Sequence, residues 1–151
     1  MHLPRLSEKN DEGSAALEFI AVGVILLVPL IYLVIALGAI QEQTFGAEAA
    51  ARHIARVIAR APDAATAADR SDAVLAGIVD EYGLDEDTVD VSLSCAPSAA
   101  ECPSAGTMIV VTVTTRVRLP LVPEVLGLDR STAVPVQAEA VQKVSRLWGT
   151  G

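Results

Sequence analysis

The chain has 151 residues, of which 52% are apolar and 3% aromatic, with a formal net charge of −8. A chain so acidic and so poor in aromatics offers neither the basic footprint nor the stacking platform of a nucleic-acid binder. The apolar surplus is concentrated in one place: the 22 residues from Phe19 to Ile40 carry no charge, and all but Gly23, Pro29 and Gly38 are apolar. That distribution argues against a wholly soluble cytosolic enzyme.

In chain order, residues 1–13 form a short charged leader holding Arg5 and Lys9. The uncharged run 19–40 follows. At about 1.5 Å per helical residue it spans about 33 Å, enough to cross a hydrocarbon core of about 30 Å once. Two basic residues precede it closely and Arg52 follows 12 residues after Ile40, a small bias toward a cytoplasmic N-terminus that a wider window reverses. A cleaved secretory signal would normally have a shorter apolar region of about 7–15 residues. Ala47-Glu48-Ala49 nevertheless offers a small-x-small cleavage site, so a secreted soluble domain is one alternative. Pro29 lies mid-run, where a membrane helix tolerates it with a local kink or softening.

Residues 41–61 keep the helical period as an amphipathic extension. Ala47, Ala51, Ile54, Val57, Ile58 and Ala61 fall on one side, and Glu48, Arg52, Arg56 and Arg60 form an i,i+4 stripe on another. The stripe reads as a solvated face, or as a surface for acidic groups on neighbouring subunits or lipid headgroups. Pro62 and Asp63 end a helix running from Ser14 to Ala61, about 72 Å long.

Residues 62–151 read as a small α+β domain. A second helix is expected from Arg70 to Tyr82, with Val74, Leu75, Ile78, Val79 and Tyr82 on one face and Gly83 as its stop. Three strands follow by alternation: Val89, Val91 and Leu93; then Ile109, Val111, Val113, Val117 and Leu119 opposite Thr112, Thr114, Arg116 and Arg118; then Val134, Val136, Ala138 and Ala140, whose Pro135 suggests an edge. Between the last two lies the apolar, proline-bounded loop Pro120–Gly127, expected to pack on the sheet or meet a partner or membrane surface. Helices followed by strands imply a small antiparallel sheet covered on its apolar face by one or both helices.

The chemistry-bearing residues are few. Only His2 and His53 occur, and no nucleophile–base arrangement, phosphate loop or metal signature can be assembled. Catalytic residues: none; metal: none; cofactors: none. Asp80, Glu81, Asp85, Glu86, Asp87 and Asp90 crowd one stretch without the spacing of an EF-hand, and read as a solvated acidic surface, with weak calcium binding or a basic partner as alternatives. Cys95 and Cys102 are the only cysteines. In a domain outside the cytoplasm a disulfide closing their short loop is the economical reading.

Directly before the apolar run stands Gly13-Ser14-Ala15-Ala16-Leu17-Glu18-Phe19. A charged leader ends in glycine and a glutamate follows five positions later at the mouth of the membrane helix. With Pro29 inside the run, this resembles the TadE-like minor pilins or pseudopilins of tight-adherence (Flp) type IV pilus systems, closely through Ala61 and loosely beyond. The resemblance implies a pilin-like fold, cleavage between Gly13 and Ser14 by a membrane prepilin peptidase on the cytoplasmic side, and 138 residues retained. It further implies a single-pass protein of the cell membrane with its C-terminal domain extracytoplasmic and a place at a surface pilus. The partners implied are membrane lipid, the peptidase, other pilins or pseudopilins and the Tad assembly platform. A helix dipole favours a first-turn carboxylate by only about 0.3–1 kcal/mol, too little to hold an unpaired charge at a membrane edge. The Ser14 ammonium created by the cut, on a neighbouring subunit, is the expected partner of Glu18. An uncleaved bitopic protein with an extracytoplasmic accessory domain is the other alternative.

Overall fold

In the computed structural model, residues 11–98, 101–120 and 133–149 are described. The leader basics Arg5 and Lys9 and most of the loop Pro120–Gly127 lie outside them. The chain forms two compact units, Met1–Leu37 and Gly38–Gly151. The first helix, α1 (Asp11–Arg60), has residues in both and continues through Pro29. It begins three residues before Ser14, the expected start.

In the N-terminal unit α1 presents its apolar side chains outward. Fifteen large ones between Leu17 and Leu37 are exposed, Phe19 by 79% and Leu17 by 71%. Fully burying such a side chain is worth about 1.5–3 kcal/mol, so leaving fifteen of them half-exposed to water would forfeit on the order of 15–30 kcal/mol. That exceeds the roughly 5–15 kcal/mol that holds a typical domain together. This stretch needs an apolar surrounding, and it is long and apolar enough to span a membrane.

In the unit Gly38–Gly151, α1 becomes a core helix. Ala47, Ala50, Ala51, Ile54, Ala55, Ile58 and Ala59 are buried, a stripe at helical spacing built mainly of alanine. Small side chains allow close approach, and at Gly46 there is no room even for a methyl group: a Cβ there would lie 2.8 Å from Tyr82 Cβ and 3.1 Å from Leu84 Cδ2. Tyr82 ends the second helix, α2 (Ala64–Tyr82). That helix starts six residues before the expected Arg70. The Asp63 carboxylate caps it, accepting hydrogen bonds from Thr66 N at 2.7 Å and Thr66 Oγ1 at 3.1 Å. The alanine-rich stretch after Asp63 belongs to the helix because alanine is the best helix former. Gly83, at φ +60°, closes α2 in the left-handed conformation that glycine adopts without cost.

Three strands, β1 (Asp90–Ala96), β2 (Met108–Val117) and β3 (Val134–Lys143), form an antiparallel sheet in the order β1-β2-β3. The fold is α+β, with Pro135 on an edge strand as its chemistry requires. On β2, Ile109, Val111, Val113, Thr115 and Val117 point to the core, and in register stand Val91, Leu93 and Cys95 on one side and Val134, Val136, Ala138 and Ala140 on the other. Leu119 falls beyond the strand, and Thr115 occupies the inward position before Val117. One cluster joins the buried residues of α1, α2, β2 and β3. β1 is less well covered, with Leu93 36% exposed. After β3 the chain returns to the end of α1: Ser145 N donates at 3.1 Å to Ala59 O, a carbonyl that the helix terminus leaves without an intrahelical partner, and Gly149 N donates to Pro62 O just beyond the helix at 2.8 Å.

Candidate functional site

The residues of the proposed processing site occupy the first turns of α1. The Gly13–Ser14 bond lies within the opening residues of the helix, where backbone N–H groups have no intrahelical acceptor and unwinding breaks few bonds. Ser14 and Glu18 are four residues apart, on the same side of the helix, and both are exposed. Among the described residues Glu18 has neither a hydrogen bond nor an ion pair, so its carboxylate is accessible to a group from outside the chain. Pro29 lies among exposed apolar neighbours.

The arginine stripe runs along the outer side of α1, with Arg52, Arg56 and Arg60 exposed. Arg52 Nη1 contacts Glu48 Oε2 at 3.1 Å, an exposed pair of the kind that contributes about 0–1 kcal/mol. Arg52 and Arg56 line one wall of a shallow cavity of about 300 Å³ whose other wall is β3, with Glu139 and Gln142. His53 is exposed.

Cys95 and Cys102 form a disulfide with Cα atoms 5.8 Å apart. Cys95 lies near the end of β1, so the bridge ties that strand to the connection leading into β2. Of the six clustered acids, Asp80, Glu81, Glu86, Asp87 and Asp90 are exposed, and Asp85 has structural work. Its backbone carbonyl accepts from Thr88 N at 3.0 Å and Val89 N at 2.9 Å, and its Oδ1 from Asp87 N at 3.1 Å, closing a helical turn. Its other carboxylate oxygen lies 2.8 Å from Arg118 Nη2. The Asp63 carboxyl is held below its ordinary value of 3.8 by the hydrogen bonds from Thr66 backbone and side chain.

Comparison of the chain with protein-family models, curated proteins and solved structures finds no match. The fold does bring together one group that the sequence pattern does not announce: Gln43 from α1, Gly83 and Asp85 from the turn after α2, and Arg116 and Arg118 from the end of β2 and just beyond it line one cavity of about 250 Å³. These residues come from three separate segments, each unremarkable by itself. The one cue in the sequence was the pair Arg116 and Arg118 on the polar side of a strand.

Proposed function

We propose that the chain is a membrane-anchored TadE-like minor pilin or pseudopilin that takes part in assembling a Flp/type IV-like pilus after a prepilin peptidase removes residues 1–13. Carrying this proposal is one coincidence: Gly13-Ser14 and Glu18 stand immediately before an uncharged, outward-facing apolar run on a helix that goes on to form the core of an α+β domain. The action is mechanical. Cleavage would discard polar residues and retain the apolar helix, which is stored in lipid and then packs against other subunits through close contacts and polar pairs. Glu18, without a partner among the described residues, would pair with the Ser14 ammonium of a neighbour and set the register between them.

The N-terminus and intact mass of the protein taken from membranes test the proposal. A start at Ser14 supports it, and an intact leader would make the chain an uncleaved bitopic protein. A start near Ala50 would indicate a secreted domain, against which weighs the burial of Ala47, Ala50 and Ala51 within the core stripe of α1. Glu18→Ala should leave cleavage intact while abolishing most incorporation into the pilus. Unaltered incorporation would remove Glu18 from the mechanism.

A further inference from the structure

Exposed charge on the unit Gly38–Gly151 is sorted into two patches of opposite sign. One is the outer side of α1, where Arg56 and Arg60 are exposed and have no ion pair among the described residues. Arg146 adds to it, because the preceding Ser145 is bonded to Ala59 O and so brings this exposed residue to the end of the stripe. Two acids on this side are already engaged, Glu48 with Arg52 at 3.1 Å and Glu139 as acceptor from Gln137 Nε2 at 3.0 Å. The second patch surrounds the turn from α2 into β1. Asp80, Glu81, Glu86, Asp87 and Asp90 are exposed there, and the nearby Arg118 is taken up by Asp85.

These patches lie on opposite sides of the domain. Arg52 and Arg56 line a cavity with Glu139 and Gln142 of β3, whereas the acids lead into β1, and β1 and β3 are the two edges of the sheet. The patches also differ in position along α1. The turn after α2 is held at the level of Gln43 and Gly46, by the bond from Gln43 Nε2 to Gly83 O at 2.8 Å and by the close approach of Leu84. Arg56 is 10–13 residues further on, about 15–20 Å along the helix. Complementary patches placed apart on one molecule pair head to tail between copies, in a contact that does not close on itself as a two-fold dimer does.

The position of the stripe decides between lipid and protein as its occupant. Arg56 stands 16 residues beyond Ile40, about 24 Å along α1, and the headgroup layer on each side of a bilayer is only about 5–7 Å thick. With the run 19–40 in the hydrocarbon core, the stripe lies past the headgroups. In a chain of net charge −8 the basic side of α1 is where another acidic copy is attracted rather than repelled. We infer that the Arg56–Arg60 side of α1 docks the acidic turn around Glu86 and Asp87 of a second copy of this chain, in a head-to-tail contact that repeats from copy to copy. The contact joins copies displaced along their helices by about 15–20 Å, as successive subunits of a filament are. It deepens the reading of the chain as an assembling subunit and rests on that reading for the stagger, while the charge pairing is independent of whether the leader is cleaved.

Sedimentation equilibrium of the full chain in density-matched detergent at low salt tests the contact. The parent should form a concentration-dependent series that extends past the dimer and shrinks at high salt. Arg56→Glu/Arg60→Glu and Glu86→Arg/Asp87→Arg each turn attractions into repulsions and should weaken association about tenfold. Mixed in equal amounts, the two variants present complementary patches again and should associate as the parent does. All four substitutions are at exposed positions, and an unchanged Trp148 fluorescence melt checks that the domain is folded. A monomeric parent, a closed dimer, association unchanged in either variant, or no recovery in the mixture overturns the contact. Binding of a monomeric parent to phosphatidylglycerol vesicles, lost in Arg56→Glu/Arg60→Glu, would assign the stripe to lipid and overturn it as well. None of these outcomes alters the start of the mature chain, by which the proposed function is tested separately.

Discussion

Gly46 and Gly77 both stand inside helices, and the same substitution should move stability in opposite directions at the two positions. Alanine in a helix interior is favoured over glycine by about 1 kcal/mol. At Gly77 an added Cβ meets nothing within 4 Å, so Gly77→Ala should realise most of that gain. At Gly46 the new methyl group would lie 2.8 Å from Tyr82 Cβ and 3.0 Å from Tyr82 Cγ, where carbon atoms in contact prefer about 3.5–4.0 Å. A side-chain rotation cannot relieve this, because Tyr82 Cβ is fixed to the α2 backbone and the whole helix end must shift. Overpacking of this kind costs about 1–3 kcal/mol, and a clash against backbone-anchored atoms belongs in the upper part of that range. After the helix-propensity gain, Gly46→Ala is expected to be about 1–2 kcal/mol less stable than the parent. For a domain of this size that is a fall in Tm of about 4–10 °C, against a rise of about 3–5 °C for Gly77→Ala. The single tryptophan, Trp148, packs half-buried against the core, so its fluorescence during thermal unfolding of the full chain in detergent reports the domain directly. Tyr82→Ala keeps the offending Cβ and should not rescue Gly46→Ala. A Gly46→Ala protein as stable as the parent would refute the close approach of α1 and α2.

Thr115, 1% exposed, has a side-chain oxygen with no hydrogen-bond partner among the described residues, so Thr115→Val should raise stability by about 1 kcal/mol in the same assay; a loss of stability would refute this. Replacing both cysteines by serine, or reducing the bridge, should cost about 2.5 kcal/mol from the entropy of the short loop between Cys95 and Cys102, read as a lower Tm with reductant that the serine variant no longer shows. Asp63→Ala should lower the Tm and the helix content. Because the Asp63 carboxyl is held below its ordinary value of 3.8 in the folded chain, its contribution is complete above about pH 4. It fades as the pH falls from that ordinary value through the lowered one, and the gap between parent and variant should close over that interval.

The elements that sequence periodicity can mark were legible. The run Phe19–Ile40, the alternation in β2 and β3, the edge position of Pro135 and the pairing of Cys95 with Cys102 all follow from local chemistry: uncharged length, a period of two, a missing N–H, a short loop between two strands. The start of α2 was legible in principle, since Asp63 is a strong cap, but a run of alanines carries helix propensity without any hydrophobic period and so resembles a linker. Residues that act by touching distant segments could not be read. Gly46 looks like any glycine until Tyr82 is brought against it, and Thr115 looks like one more strand threonine until its inward register is fixed.

The sequence by itself determined that this chain carries one segment unable to remain in water and a small α+β domain after it, because burial and pairing needs are written in local pattern. Only the tertiary structure decided that α1 turns from an outward-facing apolar rod into an alanine-lined core helix. The same is true of the cavity that unites Gln43, Asp85, Arg116 and Arg118. That cavity arises from packing three separate segments together, and no local pattern records such an encounter.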